Sequence, residues 1–262
     1  MTSILERQVA VISGGLGDIG RAIAMALAAA GADVAICDLA EGDAAAELLA
    51  DIAATGRRGR YDRVDVADAA QVRQWLDQVE RSLGTPTLII PNAAVVKATP
   101  LLELQPDYWR KELAVNLDGV FHLANGGATR LVERGLPGCL VFIGSWAAEH
   151  VHLQIPTYCV AKAGIRMLAK CMAAELAPRG IRVNELAPGF VSAGLDSKMT
   201  NADPEARERH RRMVPTGELI EPAEVARQVV HLCDPNNRHL TGAVLVMDGG
   251  LSLFGSGVIN PR

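Results

Sequence analysis

The sequence predicts one α/β domain: a doubly wound sheet of seven parallel strands with helices on both faces. Seven short apolar runs show no alternation of polar and apolar residues, which is typical of strands covered on both faces. Longer stretches of helical periodicity separate them, and this order implies right-handed strand–helix–strand units. A chain of 262 residues can build this fold in one domain. Ligands are then expected beyond the carboxyl ends of the strands.

Strands and helices alternate along the chain, and glycine or proline ends several of them. Predicted strands cover residues 9–12, 34–37, 61–64, 88–90, 139–143, 181–186 and 243–247, of which the third is the weakest. Predicted helices cover residues 21–30, 43–54, 69–83, a long stretch after Pro106, 158–177 and 222–232. Gly84 and Gly180 follow two of these helices, as is common at helix ends. The segment 191–217 does not follow this alternation of strands and helices, because it is long, polar and irregular. We expect it to form a substrate lid.

The composition argues against several classes of protein. A net charge of −4 provides no basic surface for nucleic acid, and 4% aromatic residues leave few rings on which bases could stack. No uncharged apolar run reaches the roughly 18 residues that a membrane helix needs. The N-terminus shows no signal-peptide pattern. The five cysteines form no CxxC pair, which suits a reducing compartment, and we therefore expect a cytoplasmic protein with a small-molecule substrate.

A glycine-rich turn follows the first predicted strand. Gly15, Gly17 and Gly20 fit the GxGxxG pattern, with a strand before it, a helix after it and Asp38 at the end of the second strand. Glycines let the backbone approach a pyrophosphate, and the helix N-terminus supplies N–H groups. Asp38 would bind ribose hydroxyls and repel a 2′-phosphate, and Leu39 offers no cation, so NAD(H) is favoured over NADP(H). The alternative is a tight turn that binds no ligand.

Residues 13–20 resemble the TGxxxGIG turn of the short-chain dehydrogenase/reductase family. Gly14 and Gly20 match its first and last glycines, whereas Asp18 stands at the middle glycine and brings a negative charge into the loop. The resemblance covers residues 8–251 and implies a Rossmann fold that binds a nicotinamide dinucleotide. The predicted cofactor-binding residues are Gly14, Leu16, Gly17, Asp18, Ile19, Gly20, Asp38, Leu39, Asp65, Val66, Asn92, Ala93, Tyr158, Lys162, Pro188, Gly189 and Val191.

Three further segments carry this resemblance. Asp65, after the third strand, resembles the aspartate that reads the adenine amino group, although it could equally be an N-terminal helix charge. Residues 91–94 resemble the family's NNAG segment, with Asn92 and Ala93 matching. Residues 184–191 resemble the segment that places backbone beside the nicotinamide, but Ala193 stands where a threonine often contacts the cofactor.

Tyr158 and Lys162 form a YxxxK pair on a predicted helix, where residues four apart lie on one face. A phenol ionises near pH 10, so a tyrosine acts as a base at neutral pH only beside a group such as an ammonium that favours the phenolate. The alternative is an exposed pair on an amphipathic helix. The resemblance implies that Ser145 and Asn116 complete a catalytic tetrad, in which Ser145 orients the substrate oxygen and Asn116 helps to hold Lys162.

The implied reaction is hydride transfer between NAD(H) and a secondary alcohol or ketone. Ser145, Trp146, His152 and Tyr158 are the predicted substrate contacts, and the polar loop 146–154 favours a sugar, a polyol or a similar hydroxylated compound. His150 and His152 lack a third metal ligand, so no metal is predicted. The alternatives are a 3-oxoacyl-acyl-carrier-protein reductase, against which Asp38 counts, and a non-catalytic NAD sensor. The resemblance also implies a homotetramer built through the two long helices and through the last helix and strand.

Overall fold

The computed structural model describes residues 3–193 and 204–253, and within them seven strands form one parallel sheet. The order across the sheet is β3-β2-β1-β4-β5-β6-β7, so the chain reverses its direction of growth between β1 and β4. The strands are β1 (Val9–Ser13), β2 (Asp33–Asp38), β3 (Gly59–Arg63), β4 (Leu88–Ile90), β5 (Gly138–Ile143), β6 (Ile181–Pro188) and β7 (Val244–Met247). The predicted fold class is confirmed.

Helices cover both faces of this sheet. They are α1 (Asp18–Ala29), α2 (Ala46–Ala54), α3 (Ala69–Ser82), α4 (Pro106–Leu113), α5 (Gly119–Arg134), α6 (Pro156–Leu176), α7 (Pro204–Met213) and α8 (Pro222–Cys233). Alternate residues of β1 divide between the two cores: Ala10 and Ile12 pack with α1, α2 and α8, whereas Val9 and Val11 pack with α3, α5 and α6. Both faces of the strand are thus buried, which is why it reads as a continuous apolar run.

Some element boundaries differ from the predicted ones, and one difference concerns the site. α1 begins at Asp18, so this residue lies in the first helical turn rather than in the loop. The long helix predicted after Pro106 is divided into α4 and α5 by a π-helical turn at Ala114–Asp118. Such turns are rare and often occur at functional sites.

The expectation of continuously apolar strands is wrong for β6. Arg182, Asn184 and Glu185 lie in this strand and are buried. The Arg182 guanidinium donates to the carbonyl oxygens of Leu232, Leu240 and Asp234, and Asn184 Nδ2 donates to Leu240 O at 2.8 Å. Buried polar groups of this kind are tolerated because each finds a hydrogen-bond partner.

The predicted lid, residues 191–217, is described in part. Residues 194–203 lie outside the described residues, whereas the later part contains α7. Val191 pairs with Ile220 in an isolated bridge, and Ser192 N donates to Ile220 O at 2.8 Å. Across the described residues, no helix is both long enough and apolar enough to cross a membrane.

Candidate active site

A cleft of about 1360 Å³ opens at the carboxyl ends of the strands. The loops that follow β1 to β6 line it, together with α6 and α7. All predicted cofactor and substrate residues line this cleft, and of the predicted catalytic residues Ser145, Tyr158 and Lys162 do so too. Asn116 lies behind the lining and is fully buried.

The glycines of the turn between β1 and α1 serve different purposes. Gly14 has a φ of +64°, and a Cβ there would lie 2.8 Å from Ala93 Cα. A Cβ on Gly20 would lie 2.1 Å from the carbonyl oxygen of Gly14, so Gly20 lets α1 pack against the turn. A Cβ on Gly17 would meet Gly14 O at 3.5 Å, an ordinary contact, and Gly17 lines the cleft. The open space beside Gly17 fits the close approach of a pyrophosphate.

Hydrogen bonds tie this turn to the loop after β4. The N–H groups of Asn92 and Ala93 donate to Ser13 Oγ at 3.0 and 3.1 Å. The Asn92 amide donates in turn to the carbonyl oxygens of Ser13 and Gly14, at 3.0 and 3.1 Å. Asn92 therefore holds the glycine-rich turn in place. Sequence reasoning did not assign this role to Ser13, which is buried at the end of β1.

The carboxylate of Asp38 is held at the end of β2. Its Oδ2 accepts a hydrogen bond from Leu16 N at 3.1 Å, and its Oδ1 accepts one from Leu39 N at 2.8 Å. One oxygen thus touches the glycine-rich turn, and the residue still lines the cleft. Asp65 also lines the cleft, and its Oδ1 accepts from Ala67 N at 2.9 Å.

Tyr158 and Lys162 lie one turn apart on α6. The Lys162 Nζ atom is 5.3 Å from the centre of the Tyr158 ring and donates to Ile143 O at 2.8 Å. Lys162 is 2% exposed, so the alternative of an exposed amphipathic pair is wrong. Burial lowers the pKa of Lys162 to about 8, and the Glu185 carboxylate opposes this shift in part.

Ser145 and Asn116 are fixed by backbone contacts. Ser145 follows β5, and its Oγ accepts from Ala147 N at 3.1 Å, so its O–H can donate elsewhere. Asn116 lies in the π-helical turn, where Oδ1 accepts from Val95 N at 2.8 Å and Nδ2 donates to Val95 O at 2.7 Å. Asn116 was expected to help hold Lys162, but no side-chain hydrogen bond between them is described. Lys162 donates to Ile143 O, and Asn116 bonds to Val95 in the loop after β4.

Sequence reasoning missed a buried ion pair beneath Ser145. The Arg166 guanidinium donates to both carboxylate oxygens of Glu185 at 2.9 Å, and to Ser145 O at 3.1 Å. It also pairs with Glu149 at 2.6 Å. The one feature of the sequence that could have indicated this ion pair is the position of Arg166, one turn after Lys162 on the same helix. Arg166 thus connects α6, β6 and the loop after β5.

A cluster of aromatic rings and imidazoles also lines the cleft. Trp146 meets His152 edge-on at 4.5 Å between ring centres, and Phe190 stacks on His210 at 4.1 Å. The buried Nε2 of His152 has no hydrogen-bond partner among the described residues. Burial lowers the pKa of His152, as do His210 and then His150, so the ring is neutral at pH 7. His152 is a predicted substrate contact, whereas Phe190 is not, and His210 is predicted only as part of the lid, residues 191–217.

A dinucleotide-type turn beside a Tyr–Lys pair defines a class of oxidoreductases, and comparison with known proteins identifies the family. A family model described as Enoyl-(Acyl carrier protein) reductase matches residues 15–252. A D-threitol dehydrogenase from Mycolicibacterium smegmatis is 35% identical over 250 residues, which cover 95% of this chain and 94% of that protein. A (3R)-3-hydroxyacyl-CoA dehydrogenase from Rattus norvegicus is 31% identical over 255 residues, covering 94% and 97%.

Solved structures support the same relationship. A gluconate 5-dehydrogenase from Burkholderia cenocepacia, in complex with NADP and tartrate, is 30% identical and superposes with a TM-score of 0.90, over 97% of this chain and 99% of that one. The chain belongs to the short-chain dehydrogenase/reductase family. It is an oxidoreductase that acts on alcohol groups with a nicotinamide dinucleotide, so the predicted family and reaction class are confirmed.

Replacing Gly17 by alanine should weaken dinucleotide binding at least about tenfold, or about 1.4 kcal/mol, because the new methyl group enters the cleft. It should leave thermal stability unchanged, since its nearest contact is an ordinary one. In the matched Gly20→Ala variant the methyl group collides with Gly14 O, which should lower the Tm clearly. NADH fluorescence titration and thermal unfolding measure the two effects. Unchanged NADH affinity in Gly17→Ala would contradict the assignment.

Replacing Lys162 by methionine should abolish turnover yet stabilise the fold at pH 7. Because the pKa of Lys162 is lowered from 10.5 to about 8, burial of its charge opposes folding below pH 8 by at most about 3 kcal/mol. This unfavourable contribution disappears as the pH rises from about 8 to 10.5. The difference in Tm between Lys162→Met and the wild type should therefore narrow over that range. Lys170→Met, at an exposed position of α6, is the control and should show no such gap. A gap that does not depend on pH would refute the interpretation.

Proposed function

We propose that this enzyme is an NAD-dependent dehydrogenase of a sugar, a polyol or a similar hydroxylated small molecule. The supporting observation is that one cleft is lined by three kinds of group. Asp38 lines it beside the glycine-rich turn, Tyr158 and Lys162 line it from α6, and the imidazoles of His152 and His210 line it beside Trp146 and Phe190. The cleft thus combines a carboxylate that can bind the ribose hydroxyls of the cofactor, a phenol that can accept a proton, and imidazoles that can form hydrogen bonds with substrate hydroxyls.

The preference for NAD rests on the charges around Asp38. Two N–H donors orient its carboxylate, which would accept hydrogen bonds from ribose hydroxyls and repel a 2′-phosphate. Nearby arginines are engaged elsewhere: Arg21 donates to the carbonyl oxygens of Leu16 and Ala44, and Arg63 pairs with Glu41 at 3.2 Å. The gluconate 5-dehydrogenase contains NADP, so this preference is argued from the residues of this chain alone.

The chain's own residues supply the proton chemistry. A bound nicotinamide dinucleotide supplies the hydride acceptor for alcohol oxidation. Tyr158 takes the proton from the substrate hydroxyl, and the ammonium of Lys162 favours the phenolate that does so. The Ser145 hydroxyl donates to the substrate oxygen and orients it. Asn116 fixes the backbone at Val95, in the loop that borders the same cleft.

The substrate class follows from the aromatic rings and imidazoles that line the cleft. His152 offers a buried ring nitrogen without a partner, and a substrate hydroxyl would satisfy it. Trp146 and Phe190 would pack against the carbon skeleton of a small ligand. The D-threitol dehydrogenase relative acts on a polyol, which supports the same class. His210 on α7 stacks on Phe190, so we also propose that residues 191–217 form the substrate lid.

We further propose a homotetramer in the cytoplasm. Large apolar side chains are exposed on α5 and α6, namely Phe121, Val160 and Met167, and a second copy of the chain would cover them.

The proposed location in the cytoplasm rests on the cysteines. A reducing compartment suits the protein, because its cysteines are all free thiols: Cys37, Cys139, Cys159, Cys171 and Cys233.

The proposed activity predicts NADH formation with NAD+ and polyols or sugars. The assay follows NADH absorbance with NAD+ and NADP+ in parallel, across sugars, polyols, cyclic alcohols and 3-hydroxyacyl thioesters. Tyr158→Phe should lose turnover at least about a hundredfold, the contribution of a general base, while NADH binding persists. Turnover only with thioesters would replace the proposed substrate class by an acyl-thioester reductase. Binding of NADH with no turnover of any alcohol would favour a sensor.

A change of charge at Asp38 should alter cofactor choice. Asp38→Ala combined with Leu39→Arg removes the repulsive carboxylate and adds a phosphate-binding cation. The ratio of kcat/KM for NADP+ to that for NAD+ should rise at least about tenfold, or about 1.4 kcal/mol. The single variant Leu39→Arg separates the added cation from the lost carboxylate. An unchanged ratio in the double variant would rule out the ribose role of Asp38.

A further inference from the structure

A short loop follows β3 and borders the cleft. This segment, residues 64–68, is called the β3 loop below, and its residues 64–66 line the cleft. In the sheet, β3 lies beyond β2, on the side away from β5 and from Ser145, which follows β5. A dinucleotide with its nicotinamide near Ser145 and a ribose at Asp38 would therefore place its adenine at the β3 loop.

Two groups of the β3 loop have no partner among the described residues. The N–H of Val66 donates to none of them. Asp65 Oδ1 accepts from Ala67 N at 2.9 Å, whereas Asp65 Oδ2 accepts from no described residue. A donor and an acceptor on neighbouring residues match the Watson–Crick edge of adenine, which offers N1 as an acceptor and its amino group as a donor. Hypoxanthine reverses this pattern, because it has an N–H at position 1 and a carbonyl group at position 6.

Hydrogen bonds from β2 and α3 hold the two ends of the β3 loop. Asp68 caps α3, and its Oδ1 accepts from two N–H groups of the first turn, at 2.8 and 3.2 Å. Gln71 accepts from Asp65 N at 3.0 Å and donates to Asp68 Oδ2 at 3.1 Å. At the other end, Val64 N donates to Asp38 O at 3.0 Å. The cap of α3 is thus Asp68, so the Asp65 carboxylate is available for a ligand.

The middle of the β3 loop is held by α5. His122 Nδ1 lies 3.0 Å from the carbonyl oxygen of Val66 and donates to it, since a carbonyl oxygen can only accept. Gly119, one turn earlier on α5, lies against the same residue. A Cβ on Gly119 would be 2.7 Å from Val66 Cγ2 and 3.2 Å from Val66 O. Two residues of α5 therefore fix the position of Val66, which is buried.

One peptide unit connects His122 to the carboxylate of Asp65. The carbonyl oxygen of Val66 and the N–H of Ala67 belong to the same peptide unit, which is planar and rigid. His122 bonds to its oxygen at 3.0 Å, and Asp65 Oδ1 accepts from its N–H at 2.9 Å. The hydrogen bond from His122 therefore fixes the plane of this peptide, and the plane in turn orients the Asp65 carboxylate.

We propose that His122 is a positioning residue, which fixes the β3 loop so that Asp65 and Val66 select adenine as the base of the cofactor. The inference rests on the proposed cofactor site, in which Asp38 binds the ribose. His122 itself does not line the cleft. It acts on the base through the peptide between Val66 and Ala67.

The affinities for two bases test this proposal. Fluorescence titration gives the Kd of NADH and of reduced nicotinamide hypoxanthine dinucleotide. The wild type should bind NADH at least about tenfold more tightly, which corresponds to about 1.4 kcal/mol of hydrogen bonding at the base edge. His122→Leu should reduce this ratio to about two or less, mainly by weakening NADH binding, because the Val66–Ala67 peptide is no longer held. His122→Asn, whose amide can donate to Val66 O, should retain most of the ratio.

Two further variants separate this role from a general effect on α5. Asn125→Leu changes an exposed side chain of the same helix and should leave both affinities unchanged. Gly119→Ala keeps His122 but adds a methyl group that collides with Val66, so it should reduce the ratio as His122→Leu does. Thermal unfolding shows that each variant is folded. A merely structural role of His122 would lower the Tm without changing the ratio of the two affinities.

An unchanged ratio in folded His122→Leu would overturn the proposal, and so would a wild type that binds both dinucleotides equally well. If His122→Leu does not fold, an unchanged ratio in Gly119→Ala overturns it instead. The titration needs no alcohol substrate. Absence of turnover, or tighter binding of NADPH than of NADH, would count against the proposed function. The comparison of the two bases, repeated with the phosphorylated cofactors, would still decide the role of His122.

Discussion

The active site depends on one buried ion pair, between Arg166 and Glu185. Glu185 is fully buried in β6, and Arg166 reaches it from α6 while donating to the carbonyl oxygen of Ser145. Even Gly144 is shaped by this pair, since a Cβ there would lie 2.0 Å from a Glu185 oxygen. Removing one member of such a pair typically costs about 3–5 kcal/mol, because the other charge remains buried alone. The pair therefore fixes the distance between the strand end that carries Ser145 and the helix that carries Tyr158 and Lys162.

The sequence was sufficient to predict the sheet, the order of its strands and helices, and the gathering of Tyr158, Lys162 and Ser145 at one edge. Local signals predict the strands and helices: apolar runs, helical spacing and glycines at turns. The place of Ser145 beside Tyr158 and Lys162 was implied by the family resemblance. The same local signals placed β6 correctly, but they did not predict that its polar residues Arg182 and Glu185 are buried. Whether such residues are buried depends on partners far away in the chain, such as Arg166 and the carbonyl oxygen of Leu232.

The parts of the site that were missed share this dependence on distant partners. Phe190 and His210 stack on each other although they belong to different segments of the chain. The π-helical turn at Asn116 likewise reflects an outside constraint, because Asn116 closes two hydrogen bonds with Val95.

The bonds between Ser13 and Asn92 join residues 79 positions apart, across the junction of β1 and β4. The first three strands form one half of the sheet and the last four form the other, and the glycine-rich turn is complete only when the halves meet. A dinucleotide that binds this turn would bind only when the two halves of the sheet are joined. It would therefore stabilise the native chain against separation of the halves and against proteolysis.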